Sequence, residues 1–278
     1  MLPQFYVDDL IQQAIREDIN YIDTSVDYLI PPEQAGRARF LAKADGVLCG
    51  YVGIWKIVDQ AQCFYEDGDA LRKGDIIAEI SGSTAMLLKG ERTALNLIQH
   101  MSGIATATAQ AVRLVEGTRA SITDTRKTLP GLRSLQKYAV VCGGGKNHRY
   151  NLSDGAMLKD NHIDAAGGIT SAITLLRKKL GHMVKIEVET RNLDEVAEAL
   201  RAGAEIIMLD NMTLDMMREA VKMTDGKALL EASGGITLDT LRPVAETGVD
   251  IISIGALTHS VQAFDISMKL VRERNKFD

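Results

Sequence analysis

The chain has 278 residues, 46% hydrophobic and 25% charged, with 24 glycines, five prolines and three cysteines, a composition that excludes fibrous and disordered classes. Its net charge of −5 argues against general nucleic-acid binding, no apolar run approaches the ~20 residues of a membrane helix, and Met1-Leu2-Pro3-Gln4 does not begin an export signal. Cys49, Cys63 and Cys142 are too few and too scattered for a disulfide framework or a cysteine-rich zinc site, so a cytoplasmic protein is expected.

In the first hundred residues, Arg37–Gly53 and Asp75–Gly82 read as strands with glycine turns, and Glu91–Ser102 reads as a helix. Asp67-Gly68-Asp69 followed by Leu71-Arg72-Lys73-Gly74-Asp75 resembles the hairpin grammar of biotinyl and lipoyl carriers. A carrier needs its modified lysine at an exposed hairpin tip, and none is evident. The better reading is an α+β open-sandwich domain over residues 1–102. A second domain then covers residues 103–264, with a C-terminal helix at about 265–278 packing back on the first.

From Ser121 onward a grammar repeats: a short apolar run, a polar or glycine end, then a helical stretch. Ser121–Asp124 and Ala156–Lys159 are the first two runs, followed by Val184–Glu189, Ala204–Asp210, Ala228–Ser233 and Asp250–Gly255. The ends at Glu189, Asp210, Ser233 and Gly255 are spaced by 21, 23 and 22 residues. Between them, Leu193, Val196, Ala197 and Leu200 share one helical face, and Gly203 and Gly248 sit where a helix turns back into a strand. Near-continuous apolar strands alternating with helices mean a parallel sheet covered by helices. Six such units favour an incomplete parallel β/α barrel over an open doubly wound sheet.

Barrel active sites form at the carboxyl ends of the strands, so the run ends converge on one cavity mouth. Between Arg126 and Lys159 stand Arg126, Lys127, Arg133, Lys137, Lys146, Arg149 and Lys159 against the single acid Asp154, a charge of +6 that leaves −11 elsewhere. Such an island in an acidic chain suits a small, highly anionic ligand. Arg126 and Arg149 suit a dicarboxylate, since a guanidinium meets a carboxylate through a two-bond fork. Ser233-Gly234-Gly235 and Ser253-Ile254-Gly255-Ala256 follow the last two strands, where barrels commonly bind phosphate through backbone N–H groups. Glu189 and Asp210 stand at equivalent points of consecutive repeats and offer oxygen ligands for Mg²⁺, or pair with neighbouring cations. Gly143-Gly144-Gly145-Lys146 lacks the nucleotide-loop spacing and reads as a flexible loop carrying His148 and Arg149 toward the cavity. His148, His162 and His259 lie at loop ends without the spacing of a zinc triad.

Thr125-Arg126-Lys127-Thr128-Leu129-Pro130-Gly131-Leu132-Arg133 is similar to the signature of quinolinate phosphoribosyltransferases. The resemblance continues through Lys137–Val140, Cys142–Gly145, Asn147–Arg149, Lys159–His162, Glu187–Glu189, Met208–Asn211, Glu231–Ile236 and Ser253–Ser260, nearly the whole chain. It implies that quinolinate and phosphoribosyl diphosphate give nicotinate mononucleotide, diphosphate and CO2, with Mg²⁺, on the path to NAD. It also implies a homodimer in which Arg92 reaches quinolinate bound by the partner. Arg126, His148, Arg149 and Lys159 would complete the quinolinate pocket, with Lys127 between the two substrates. Lys127, Lys159, Glu189 and Asp210 are the implied catalytic residues, and Glu189 and Asp210 the implied Mg²⁺ and phosphoribosyl positions. Ser233, Gly234 and Gly235, with Ser253 and Gly255, Ala256 and His259, match the 5′-phosphate loops. One departure is Glu17–Thr24, which lacks the glycines of many members.

The chemistry fits the charges. Cations stabilise the departing diphosphate, and a ribosylated ring nitrogen stabilises the carbanion left by CO2. Three alternatives stand beside it: a related phosphoribosyltransferase acting on another pyridine or aromatic acid, a Schiff-base aldolase using Lys159, and a non-catalytic anion-binding barrel.

Overall fold

The computed structural model describes residues 4–50 and 60–271. The chain divides into two compact units, one of Met1–Ala109, Pro130–Gly144 and Ser260–Asp278, the other of Gln110–Leu129 and Gly145–His259. Residue 102, where the sequence suggests a division, lies within a continuous helix whose residues as far as Ala109 group with the first unit, as does the segment at 130–144.

The first unit opens with α1 (Gln4–Asp18) and the single turn α2 (Val26–Leu29). Between them, where glycines are missing, the Asp23 carboxylate makes the turn by accepting from the N–H groups of Ser25 and Val26, each at 2.9 Å. β1 (Ala35–Ala42), β2 (Gly46–Val47), β3 (Gln60–Cys63), β4 (Ala70–Leu71) and β5 (Ile76–Ser83) follow. Along β1, Ala38, Phe40 and Ala42 are buried and the residues between them are not, the period-two pattern of a sheet with one covered face. Residues 51–53 of the strand expected at Arg37–Gly53 lie outside the described residues.

The helix expected at Glu91–Ser102 runs farther, as α3 (Thr84–Leu114), because its apolar stripe continues through Ile104, Ala105 and Ala111. Gly103 does not stop it. A Cβ there would lie 2.2 Å from the Gln262 carbonyl, so the glycine permits a close approach. α4 (Arg133–Cys142) also belongs to this unit.

The expected C-terminal helix is corrected. Ile266–Leu270 is a strand, numbered β12 below, antiparallel to β1 with Phe40 opposite Met268 and Ala42 opposite Ile266. Ile266 and Met268 alternate into the core, and β1 offers an edge whose backbone groups need partners. Residues 272–278 of that expected helix lie outside the described residues.

The second unit holds β6 (Ser121–Thr123), β7 (Ala156–Leu158), β8 (Ile186–Thr190), β9 (Ile206–Asp210), β10 (Leu229–Ser233) and β11 (Ile251–Ser253). They interleave with α5 (Asp160–Ala166), α6 (Ile169–Arg177), α7 (Leu193–Arg201), α8 (Leu214–Thr224), α9 (Leu238–Ala245) and α10 (Ala256–His259). The first unit's sheet, completed by β12, has the order β12-β1-β5-β3. The second unit's sheet has the order β6-β11-β10-β9-β8-β7, with every neighbour parallel. β6 pairs with β11 and, among the described residues, not with β7, so the barrel is incomplete on that side.

Local signals set the helix ends. Asn192 accepts from the Glu195 N–H at 2.9 Å and Thr213 from that of Met216 at 3.3 Å, caps worth about 1 kcal/mol each. Gly203 and Gly248 have φ of 83° and 95°, which fits a return from helix to strand that a side chain would strain. Val196 and Ala199 centre the buried stripe of α7. Among the described residues, no helix is long and apolar enough to cross a membrane.

Candidate active site

Parallel strands in one sheet deliver their carboxyl ends to the same side, and here those ends line a cavity of about 470 Å³ within the second unit. β6 leads into Thr125, Arg126 and Lys127, β7 into Lys159, β8 carries Glu189 as its penultimate residue, and β9 leads through Asp210 into Asn211. β10 leads into Ser233, Gly234 and Gly235, and β11 ends at Ser253; all of these line the cavity. His148 and Arg149 arrive on the glycine-rich loop.

That loop is pinned to the sheet. The Lys146 N–H donates to the Ile122 carbonyl at 2.8 Å, and the His148 N–H donates to the carboxylate of fully buried Asp124 at 2.9 Å. The Arg149 guanidinium donates to the Gly155 carbonyl at 3.0 Å and rests on the Met157 sulfur at 3.6 Å. Burial, then the neighbouring charge of Arg126, lowers the Arg149 pKa below the usual guanidinium range. Arg126, Lys127, Arg149 and Lys159 thus share one cavity. Arg126 Nε is buried there without a hydrogen-bond partner, and Ser253 Oγ is buried beside the Glu231 carboxylate. A buried polar atom left unsatisfied costs about 1–3 kcal/mol, which an anionic ligand accepting from Arg126 would offset.

His148 lines the cavity with both ring nitrogens engaged. Nδ1 accepts from the Arg149 N–H at 2.8 Å, so the ring proton sits on Nε2, 3.1 Å from Glu187 and 3.6 Å from Glu231. Burial, then the nearby Glu187 carboxylate, pushes the Glu231 pKa up to about 7.

Glu189 pairs with Lys159 at 3.3 Å, the neighbouring-cation alternative read from sequence, while Asp210 accepts from the Asn211 side-chain amide at 3.0 Å. These carboxylates are hard oxygen donors near the ends of adjacent strands, outside the tight groups of metal-type side chains formed by Cys49, Asp67 and Cys142 and by His148, Glu187 and Glu231. Carboxylates of this kind on neighbouring strands fit Mg²⁺, which keeps water and shares oxygens with substrate phosphates. Lys159 is 47% exposed and ion-paired, unlike the desolvated setting of a Schiff-base lysine.

The geometry separates the remaining expected residues. Gly255, Ala256 and His259 do not line the cavity; Gly255 packs beside Lys127, where an added Cβ would lie 3.1 Å from Lys127 Cδ and 3.2 Å from the His259 ring. Thr258 ties the turn down by donating to the Lys127 carbonyl at 2.8 Å. The His162 ring accepts from the Lys159 N–H at 3.1 Å. Arg92 is exposed on α3, in the other unit. Of the basic island, Arg133 and fully buried Lys137 lie on α4, and Lys146 bridges to Thr123, so four of the seven charges line the cavity.

Met157, Met208 and Glu231 also line the cavity, and Glu187 supports it from beneath His148. Each lies two residues before a strand-end residue already singled out. Alternation sends i and i−2 to the same face, so the sequence held the signal. Asn211 carries a different one, a left-handed φ of 53° immediately after Asp210.

Residues 104–269 match the model of the quinolinate phosphoribosyl transferase C-terminal domain, and residues 21–102 that of the N-terminal domain. A protein of Bacillus subtilis (strain 168) named probable nicotinate-nucleotide pyrophosphorylase (carboxylating) is 47% identical over 265 residues, covering 93% of this chain and 91% of its own. A mitochondrial quinolinate phosphoribosyltransferase (decarboxylating) of Nicotiana glauca is 40% identical, covering 98% of this chain and 84% of its own. The crystal structure of NadC from Streptococcus pyogenes, 41% identical, has a TM-score of 0.93 over 98% of each chain. Both family domains are thus matched in order along one chain whose strand ends carry the cations and carboxylates described above, and the chain belongs to the quinolinate phosphoribosyltransferase family.

Proposed function

We propose that this chain converts quinolinate and phosphoribosyl diphosphate to nicotinate mononucleotide, diphosphate and CO2. The observation that carries the reading is the clustering of Arg126, Lys127, Arg149 and Lys159 in one cavity, with two guanidinium groups close enough for one to lower the other's pKa. Such a cluster calls for a ligand with several negative charges, and two forked cations match two carboxylates.

Arg126 and Arg149 hold the carboxylates and aim the ring nitrogen at the anomeric carbon, so orientation supplies much of the rate. Lys127, beside the Gly255 turn, lies between the acid and the phosphoribosyl group. Backbone N–H groups of the Ser233-Gly234-Gly235 loop receive the 5′-phosphate. As the nitrogen bonds to the sugar, the bond to diphosphate breaks and charge grows on the leaving oxygens, where cations stabilise it. The ring nitrogen, now positive, stabilises the electron pair left on the adjacent ring carbon when its carboxylate departs as CO2, and that carbon is then protonated. Mg²⁺ held by Glu189 and Asp210 would neutralise diphosphate charge. His148, with both nitrogens committed to protein partners, acts as a positioning residue for Arg149. Arg92, exposed on its own chain, serves the cavity of a partner in a homodimer.

The test is incubation with phosphoribosyl diphosphate, Mg²⁺ and either quinolinate or nicotinate. Quinolinate should give equal amounts of CO2, diphosphate and nicotinate mononucleotide, with nicotinate a poor acceptor. Arg126→Ala should cut kcat/KM for quinolinate by roughly a hundredfold or more, the scale of removing one partner from a buried charge pair, without loss of fold. Equal use of nicotinate, or unchanged turnover by the variant, would overturn the assignment.

A further inference from the structure

A second reactive cluster lies wholly within the first unit. Cys49, just beyond β2, and Cys142, the last residue of α4, are far apart in sequence. Their sulfur atoms and a carboxylate oxygen of Asp67 nevertheless all lie within 4.8 Å of one another. The pair read from sequence as scattered is brought together by the packing of this unit.

The surroundings fix Cys49 firmly. Ser102 Oγ accepts from the Cys49 N–H at 2.9 Å and donates to its carbonyl at 3.0 Å. Leu48 exchanges backbone hydrogen bonds with the next segment, accepting from the Gly68 N–H and donating to the Asp69 carbonyl, each at 2.9 Å. The Asp67 carboxylate accepts from the Gly50 N–H at 2.8 Å through one oxygen and from the Tyr138 hydroxyl at 2.7 Å through the other. With both oxygens engaged, Asp67 is poorly placed to complete a metal site, and two thiols alone do not make the usual four-ligand zinc set.

The two thiols differ in the way a redox pair requires. Cys49 is 0% exposed, whereas Cys142 is partly open to solvent. The hydrogen bond from the Cys49 thiol lowers the Cys142 pKa, and burial raises that of Cys49. Of the two, Cys142 is the more open residue and the one whose thiolate is favoured, so it is the one placed to meet an oxidant.

We propose that Cys49 and Cys142 form a reversible oxidation site that closes an intramolecular disulfide on encounter with a hydroperoxide. The Cys142 thiolate attacks the peroxide, breaking its O–O bond and becoming a sulfenic acid while hydroxide or alkoxide leaves. The Cys49 sulfur then attacks the Cys142 sulfur; the S–S bond forms, the S–O bond breaks, and water departs with the thiol proton. Two thiols are oxidised and one peroxide is reduced, and a dithiol reverses the change by exchange. The sulfur atoms must close to the ~2.05 Å of a disulfide, which requires movement at the α4 end, next to Gly143-Gly144-Gly145.

The full chain treated with hydrogen peroxide, denatured and alkylated tests this directly. Two of its three thiols should be lost, with a mass decrease of two hydrogens, a peptide pair linking Cys49 to Cys142, Cys63 alkylated, and recovery by dithiothreitol. In Cys49→Ser the reaction should stop at a Cys142 sulfenic acid trapped by dimedone, and in Cys142→Ser Cys49 should stay reduced. Survival of all three thiols at a peroxide dose that oxidises a free-cysteine peptide would overturn the proposal. So would linkage through Cys63 or between chains, or zinc retained at one per chain with both thiols shielded until a chelator is added.

Discussion

Glu231 shows how one buried side chain sets conditions for its neighbours. It is 1% exposed, faces Glu187 and His148, and has one carboxylate oxygen without a hydrogen-bond partner. Its pKa of about 7 in the folded chain stands above the ordinary carboxyl value of 4.5. The fold therefore favours its protonated form, and that contribution is complete below the ordinary carboxyl range and lost as pH rises through about 7. Glu231→Gln removes the titration. Relative to the parent, the variant should gain stability as pH rises from about 5 to about 8. Thermal melts across that range check this through their slope, whatever constant offset the substitution brings. Parallel curves would mean that Glu231 ionises freely in the native chain.

The strand-end loops act as coupled elements. Gly234 has a φ of 94°, and a Cβ on it would lie 2.3 Å from Asn211 Oδ1, the residue whose amide holds the Asp210 carboxylate. Gly234→Ala therefore strains its own backbone and pushes Asn211 off Asp210. The expected result is a stability loss of about 1–2 kcal/mol from the left-handed backbone. KM for phosphoribosyl diphosphate should rise well beyond that for quinolinate. A Tm measurement with separate KM determinations distinguishes the two effects, and an equal rise in both KM values would place the damage elsewhere. These elements were largely legible in sequence because period-two alternation and strand-end polarity are local. The lesson of Glu187 and Glu231 is that the same alternation reaches two residues deeper than the strand end.

For the whole molecule, the β6–β7 connection carries the signature Thr125–Arg133 yet contributes α4 to the other unit, and the barrel is open between those strands. Arg92 stands on α3, exposed, in that other unit. In the proposed two-fold dimer, Arg92→Ala and Arg126→Ala subunits complement each other when mixed and reassembled. Half the dimers are mixed and each has one intact site, so activity should return to about a quarter of wild type. Activity no higher than that of the separate variants would show that Arg92 does not act across a dimer.

The sequence alone determined the parallel strands, their polar ends, the glycine returns and the family, because each is written in short-range periodicity or an uninterrupted motif. Tertiary structure decided that the C-terminal segment is a strand, since its conformation follows from the open edge of β1 and not from local propensity. Long-range packing likewise grouped Lys137 and Arg133 with the first unit and brought Cys49 against Cys142. Spacing along a chain fixes which face a residue takes, whereas its distant neighbours depend on how elements pack.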